Sequence, residues 1–222
     1  MKRLKRTESA VSSNVTNESG SGGCPDSQPN ITYLNESLRK ATHLFALVIP
    51  IGYLLTDKQV SLLVLIPLAA LFILFDTARL RGWSLWHFVS RIWGPLIRPQ
   101  EDCRYTGASY IMFSTVLTVV MFPKPVAICA LSFIIIGDTA GALIGRKWGR
   151  HRFRNKSYEG SLAFFVFSLI PALYLPELPF WLISVGAVVA TVTEALSSEI
   201  DDNLSVPLVS GLAMHLLMKI SM

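Results

Sequence analysis

Residues 125–145 of the chain are PVAICALSFIIIGDTAGALIG, an apolar stretch long enough to cross a bilayer as one helix. Its single charged residue is Asp138. A carboxylate at that depth costs about 2.5–3.5 kcal/mol on insertion scales, so it should face other helices and meet a cation. The stretch therefore predicts a membrane-spanning helix with a functional carboxylate. The structural alternative is a buried ion pair with an arginine that orders the bundle.

Six further apolar stretches predict the rest of the fold. They cover residues 41–55, 59–75, 106–122, 161–175, 180–197 and 204–220. Only 16% of the 222 residues are charged, well below the ~25% typical of soluble domains. We therefore expect an all-α, polytopic membrane helix bundle with about seven transmembrane helices. Three cysteines argue against a disulfide scaffold, and the net charge of +5, spread over loops, argues against nucleic-acid binding.

Composition divides the chain into two parts. Residues 1–35 are rich in Ser, Asn, Gly and Thr and predict a disordered polar cytoplasmic tail. No apolar segment follows the basic residues at its start, so no cleaved signal peptide is expected. Residues 36–222 predict a single membrane-embedded catalytic domain. Within it, residues 83–93 carry tryptophans on one helical stripe, which predicts an amphipathic helix lying in the membrane interface.

The distribution of basic residues predicts an orientation. If the N-terminus is cytoplasmic and all seven stretches cross, 17 of the 20 Lys and Arg residues lie on the inside, and only Lys58, Lys124 and Lys219 lie outside. This bias predicts an N-in, C-out integral membrane protein. Asp138, the acids near residues 194–202 and the long basic loops then share the cytoplasmic face, which a site using a cytosolic nucleotide requires. The alternative is that the basic residues only set the topology.

Acidic and amide side chains gather near the end of the sixth stretch. Glu194, Asp201, Asp202 and Asn203 lie within ten residues of one another. Such oxygen ligands suit Mg²⁺ when one or two carboxylates and substrate phosphates hold it. The cluster is therefore a candidate metal site, and a solvated acidic loop is the alternative.

A glycine-containing segment leads into a basic run. Gly141 and Gly145 precede six basic residues, namely Arg146, Lys147, Arg150, Arg152, Arg154 and Lys156. Glycines beside basic residues can cradle phosphate through backbone N–H groups while the side chains neutralise its charge. The alternative is close helix packing through small residues. Motifs of P-loop nucleotidases, α/β-hydrolases and zinc enzymes are absent from the sequence.

Five groups of residues occur together in the order of a known enzyme family. They are Glu36-x-x-Arg39-Lys40-x-x-His43; Arg98-Pro99-x-Glu101 with Gly107 and Tyr110; Gly137-Asp138-x-x-Gly141-x-x-x-Gly145-Arg146-Lys147-x-Gly149; Lys156-Ser157-x-Glu159-Gly160-Ser161; and Glu194 with Asp201-Asp202-Asn203 and Pro207. In these residues the chain resembles the membrane family of CTP-dependent lipid kinases. That family includes diacylglycerol kinases of the yeast type, dolichol kinases and phytol kinases, and is related to phosphatidate cytidylyltransferases.

The resemblance implies transfer of the γ-phosphate of CTP to a lipid alcohol, with Mg²⁺ or a similar divalent cation as cofactor. By position, it implies that catalysis depends on Arg39, Lys40, Asp138 and Gly145. It also implies that the segment Lys156-Ser157-x-Glu159-Gly160 is part of the nucleotide site.

The chemistry of phosphoryl transfer extends these assignments. Candidate phosphate and nucleotide contacts are Arg39, Lys40, Gly141, Gly145, Arg146, Lys147, Lys156, Ser157, Glu159 and Gly160. Metal ligation is assigned to Asp138 with Asp201 or Asp202, and the base stays open between Asp138 and Glu194. Further candidates are His43, Arg98, Glu101 and Asn203. His43 is either a base or a hydrogen-bonded packing residue.

Several functions remain open at this point. Diacylglycerol, giving phosphatidate, is the favoured substrate because the chain is compact, while polyprenol, dolichol and phytol are alternatives. A phosphatidate cytidylyltransferase would use the same nucleotide, metal and face. A small transporter with Asp138 as its ion relay is the alternative outside enzymes, although the sequence has no internal repeat that would favour it.

Overall fold

The computed structural model describes residues 43–83, 105–153, 156–197 and 201–221, which are mostly helical. The helices are α1 (Val48–Leu55), α2 (Lys58–Leu80), α3 (Gly107–Met121), α4 (Lys124–Ser132), α5 (Asp138–Trp148), α6 (Tyr158–Phe167), α7 (Phe180–Leu196) and α8 (Asp202–Ser221). Each predicted apolar stretch coincides with a helical segment, since α4 and α5 belong to one continuous segment. The predicted helical character is confirmed.

Within the described parts of the chain, three helical segments are long and apolar enough to cross a membrane, namely Lys58–Leu80, Lys124–Trp148 and Asp202–Ser221. Four shorter apolar helices accompany them, at His43–Leu55, Gly107–Met121, Tyr158–Leu173 and Phe180–Leu196. A count of seven spans and the N-in orientation therefore stay predictions. The predicted tail 1–35 lies outside the described residues, as does the predicted interfacial helix 83–93 apart from Trp83.

The segment Lys124–Trp148 is the centre of the bundle. About 67% of its most apolar window is buried inside the protein, against 22% for α2 and 28% for α8. Phe133 and Ile134 within it are fully buried. Most apolar residues of this segment therefore face other helices, and Asp138 lies among neighbouring helices as its depth required.

A π-helical segment, Phe133–Gly137, joins α4 to α5 immediately before Asp138. A Cβ at Gly137 would come within 2.7 Å of Ser168 Oγ and 3.0 Å of the Phe164 ring. The glycine thus allows close contact with α6 and the turn after it. Such wide turns inside α-helices occur frequently at functional sites, and apolar periodicity did not predict this one.

A short hairpin precedes α6 and adds two strands of two residues each to the predicted helical fold. Strand β1 (Arg152–Phe153) pairs antiparallel with β2 (Lys156–Ser157), so that Phe153 lies opposite Lys156. Strands of two residues are too short to leave the alternating pattern by which strands are recognised. The hairpin turns the chain back and fixes the backbone of Lys156 beside the start of α6.

Polar contacts tie the helices together at both ends of the bundle. At one end, Lys58 Nζ donates to Val120 O at 2.8 Å and Lys124 Nζ to Thr56 O at 2.8 Å. Near the opposite end, the buried carboxylate of Asp76 accepts hydrogen bonds from Thr106 N at 2.6 Å and Ser109 Oγ at 2.7 Å. The Lys58 contact joins α2 to α3, and the Lys124 contact joins α4 to the end of α1. Asp76 fixes the start of α3 on α2.

Candidate active site

Three carboxylates from different helices meet at one place. Asp138 begins α5, Glu194 lies in the last turn of α7 and Asp202 begins α8. One carboxylate oxygen from each lies within 4.8 Å of the other two. Opposite ligands of a Mg²⁺ ion held at ~2.1 Å are ~4.2 Å apart, so this spacing is close to what one ion needs. We name these three residues the acidic cluster.

Two buried oxygen atoms strengthen the case for a cation. Glu194 Oε2 and Asn203 Oδ1 have no hydrogen-bond partner among the described residues. Leaving a buried polar atom unpaired costs about 1–3 kcal/mol, so native structures rarely tolerate it without a ligand, ion or water. Both atoms are hard oxygen donors of the kind that Mg²⁺ prefers. The residues present therefore fit a divalent cation.

Lys156 lies directly against the acidic cluster. Its Nζ atom forms an ion pair with Glu194 Oε1, donates to the backbone oxygen of Glu194 at 2.6 Å and lies 3.6 Å from Asp202 Oδ2. Strand β2 holds its backbone. A mobile ammonium group beside three carboxylates can balance their charge and can also turn toward phosphate oxygens.

His43 is a neighbour of Asp138. Its Nε2 atom lies 3.6 Å from Asp138 Oδ2, and each of the two side chains is 15% exposed. The structure thus brings together two residues that the sequence analysis treated separately. A role for His43 as a base stays a prediction.

The structure separates the two neighbouring acids that were alternatives for the metal. Asp202 belongs to the acidic cluster. Asp201 Oδ1 accepts hydrogen bonds from Asn203 N at 2.9 Å and from Asn203 Nδ2 at 2.7 Å. This is the geometry of a helix N-cap, so Asp201 caps α8 while the carboxylate of Asp202 belongs to the acidic cluster.

The glycines of α5 pack against the start of α6. A Cβ at Gly141 would lie 3.0 Å from Gly160 O, and a Cβ at Gly145 would lie 2.8 Å from Ser157 Oγ and 3.2 Å from Gly160 Cα. Gly141 and Gly145 lie inside α5, where backbone N–H groups serve the helix itself. This geometry favours close packing over a backbone phosphate cradle. Phosphate binding by the basic side chains stays a prediction.

Ser157 and Glu159 hold the hairpin against α6. Ser157 Oγ accepts a hydrogen bond from Gly160 N at 3.1 Å and caps the helix. Glu159, which precedes the apolar stretch 161–175, accepts from His151 N at 3.1 Å and lies 3.0 Å from His151 Nδ1. Its own backbone N–H and the His151 side chain lower the pKa of the Glu159 carboxyl to about 2. Nucleotide contacts by these two residues stay predictions.

Two further basic candidates, Arg146 and Lys147, lie in the last turn of α5. Lys147 Nζ lies 4.6 Å from the centre of the exposed Trp148 ring, a cation–π contact. The other candidates, Arg39, Lys40, Arg98 and Glu101, lie outside the described residues.

Sequence analysis missed one residue that contacts this site. Ser114 is fully buried on α3, and its Oγ donates to the backbone oxygen of Asn203 at 2.7 Å. The signal in the sequence is Pro207. Proline has no N–H, so the carbonyl four residues before it has no helical partner and needs another donor.

Comparison with known proteins identifies relatives that cover 54% to 78% of this chain. An uncharacterized protein of Rickettsia prowazekii is 32% identical over an alignment of 183 positions, and the alignment covers 78% of this chain and 90% of that protein. CTP-dependent diacylglycerol kinase 1 of Schizosaccharomyces pombe is 26% identical over 162 aligned positions, with 64% of this chain and 74% of that protein covered. Probable phytol kinase 1 of rice is 31% identical over 140 aligned positions, with 54% of this chain and 44% of that protein covered.

No family model matches the chain. No solved structure matches it either. The Rickettsia protein is matched over nearly its full length, and the named relatives are kinases that act on lipids. The chain belongs to the CTP-dependent lipid kinase family.

Proposed function

We propose that this protein transfers the γ-phosphate of CTP to the hydroxyl of diacylglycerol, giving phosphatidate and CDP. The observation that carries the proposal is the acidic cluster with Lys156 against it. Phosphoryl transfer needs little covalent chemistry from a protein, but it needs a metal, placed cations and a group that orients the attacking hydroxyl. The acidic cluster can hold the metal, and Lys156 is the placed cation. Asp138 and Glu194 are the carboxylates that can orient the hydroxyl.

In the reaction, the lipid hydroxyl oxygen attacks the γ-phosphorus of CTP. The bond from that phosphorus to the β–γ bridging oxygen breaks, and CDP leaves with the electron pair. The hydroxyl proton passes to a carboxylate, for which Asp138 and Glu194 are the two candidates. Lys156 turns from Glu194 and Asp202 toward the γ-phosphate oxygens and stabilises the charge that is redistributed there.

Asp138, Glu194 and Asp202 would hold Mg²⁺, which when bound neutralises charge on the β- and γ-phosphates. The backbone carbonyl of Glu194 keeps Lys156 within reach of the reacting groups. The ring of His43 does the same for Asp138. The burial of Glu194 limits water near the γ-phosphate, so that transfer to a lipid hydroxyl is favoured over hydrolysis.

Diacylglycerol is the proposed acceptor. The fission yeast diacylglycerol kinase aligns with 74% of its own length, whereas the rice phytol kinase aligns with 44% of its length. Phytol is the second candidate because the rice protein is the slightly more identical of the two. Polyprenols share the same chemistry, a hydroxyl at the interface with a long apolar tail.

We also propose that the site faces the cytoplasm in a multi-pass membrane protein. The sequence supports this proposal, because 17 of the 20 basic residues fall on the same side as the acidic cluster if all seven predicted stretches cross the bilayer. CTP is a charged cytosolic molecule, so a site on this side can bind it without transport across the bilayer.

The test is incubation of the purified full-length chain, in lipid nanodiscs with Mg²⁺, with CTP labelled at either the α- or the γ-phosphate. Diacylglycerol, phytol and a polyprenol are supplied separately. We expect γ-label, but no α-label, in phosphatidate, and more product from diacylglycerol than from phytol.

Two results would contradict parts of the proposal. Label from the α-position in a lipid, with release of pyrophosphate, would identify a cytidylyltransferase. Label from the γ-position in phytyl phosphate alone would keep the kinase chemistry and overturn the choice of diacylglycerol.

A further inference from the structure

The first turn of α8 contains a backbone carbonyl that its own helix cannot pair. Pro207 lies inside α8, four residues after Asn203. In an α-helix the N–H of residue 207 would donate to the carbonyl of residue 203, but proline has no N–H and its ring crowds that oxygen. The turn that carries Asp202 and Asn203 therefore lacks one of the bonds that hold a helix together.

Ser114 on the neighbouring helix α3 supplies the missing donor. Its Oγ lies 2.7 Å from Asn203 O and 3.1 Å from Ile111 O. A hydroxyl has one proton, and the shorter contact is to Asn203. Because Ser114 is fully buried, water is poorly placed to replace it. Because of Pro207, α8 lacks the backbone hydrogen bond to Asn203 O, and Ser114 of α3 donates a side-chain hydrogen bond to that oxygen instead.

We propose that Ser114 is a positioning residue that holds the Asp202–Asn203 turn in the geometry required to bind the divalent cation. The inference rests on the proposed metal site of the kinase. Asn203 O, the acceptor of this bond, is one residue from the Asp202 carboxylate of the acidic cluster. The side-chain oxygen of Asn203 is itself buried and without a partner among the described residues. Small shifts of this turn therefore move two candidate metal ligands at once.

The bond also links α8 to the neighbouring helix α3. α3 packs along α8, and its start is fixed on α2 by Asp76 through Thr106 and Ser109. Ser114 lies further along the same helix. Through this bond the position of Asp202 depends on α3, and not only on the N-cap supplied by Asp201.

The experiment measures Mn²⁺ binding by electron paramagnetic resonance on the purified full-length chain, without CTP or lipid substrate. The variants are Ser114→Ala, Pro207→Ala and the double variant. Ser210→Ala is the matched control, because Ser210 is also fully buried but donates to Val206 O within α8. Activity with CTP is measured in parallel as kcat and KM for Mg²⁺.

We expect Ser114→Ala to weaken Mn²⁺ binding about tenfold and to raise KM for Mg²⁺ more than it lowers kcat, since one buried carbonyl loses its donor. Ser210→Ala should bind Mn²⁺ as the wild type does. The double variant should recover binding, because an alanine at position 207 supplies an N–H to Asn203 O. This recovery is the decisive result, since a general packing defect at Ser114 would not be repaired by a change at Pro207.

Normal Mn²⁺ binding by Ser114→Ala would overturn the proposal, as would a loss that the double variant does not recover. Wild-type protein that binds no Mn²⁺ would also overturn it. If Ser114→Ala does not fold, the proposal requires that the double variant folds, and failure of both contradicts it. Mn²⁺ binding that follows this pattern in a protein without CTP-dependent lipid kinase activity would uphold the role of Ser114 and reject the proposed function.

Discussion

Asp201 and Asp202 are neighbours in the chain, but their carboxylates serve different groups. Asp201 caps α8 through Asn203, while Asp202 lies with Asp138 and Glu194. A sequence shows two equivalent acids here, because the direction of each side chain depends on where the helix begins. The structure makes the two residues a matched pair for experiment.

We expect Asp202→Asn to lower kcat/KM at least about 100-fold, since a lost metal ligand removes several kcal/mol of charge stabilisation. Asp201→Asn should stay within about twofold of the wild type, because asparagine caps helices nearly as well as aspartate. The measurement is γ-phosphate transfer from CTP at saturating Mg²⁺. Equal losses in the two variants would contradict the division of roles.

Lys156 and Lys147 are a second pair of similar residues in different surroundings. Lys156 contacts the acidic cluster, whereas Lys147 lies over the Trp148 ring. A cation that stabilises the transition state changes kcat, while a cation that only attracts CTP changes KM and is screened by salt.

Lys156→Ala should therefore lower kcat and kcat/KM about 100-fold or more, and the loss should persist at high salt. Lys147→Ala should raise KM for CTP a few-fold at low salt with kcat nearly intact. Steady-state kinetics at two salt concentrations distinguish these outcomes. If Lys156→Ala behaves as expected for Lys147→Ala, Lys156 serves to attract the nucleotide and not to catalyse.

At the scale of elements, the contact between α5 and α6 depends on glycines. Gly145 has no room for a side chain, since a Cβ would lie 2.8 Å from Ser157 Oγ. Gly52 in α1 is the matched control. Apart from its chain neighbours and the backbone of its own helix, no heavy atom of the described residues lies within 4 Å of a Cβ built there.

We expect Gly145→Ala to lower the free energy of unfolding by about 1–3 kcal/mol through overpacking. Gly52→Ala should leave stability unchanged or raise it by up to about 1 kcal/mol, as alanine favours helix. Thermal unfolding in detergent micelles measures both. A stable Gly145→Ala variant with weakened CTP binding would instead support the hypothesis that Gly145 contributes to phosphate binding.

The elements differ in how far the sequence predicts them. Apolar stretches predict the helices because lipid-facing and buried residues are both apolar in a membrane protein. The π-helical segment Phe133–Gly137 and the hairpin around Lys156 leave no such pattern, since they depend on contacts with α6 and on backbone pairing. The acidic cluster was predicted as a set of candidates, but which carboxylates meet depends on the packing of α5, α7 and α8.

For the whole molecule, the proposed orientation rests on the basic residues. His151 lies in the loop between α5 and β1, and Glu177 lies in the turn before α7. Both side chains are exposed, so each position can carry a cysteine label after the native cysteines are replaced by serine.

We expect His151→Cys to react with an impermeant maleimide only from the cytoplasmic side, and Glu177→Cys only from the opposite side. Labelling in sealed membrane vesicles of known orientation measures this. Reaction of both positions from one side would contradict the proposed path of the chain between them.

The central claim is that the carboxylates around Asp138 form the catalytic centre. It is tested most directly by Asp138→Asn, which keeps the size of the side chain and removes its charge. We predict that the variant unfolds at the wild-type temperature but transfers γ-phosphate from CTP to lipid at least about 100-fold more slowly at saturating Mg²⁺. A folded Asp138→Asn protein with near wild-type transfer would contradict the account.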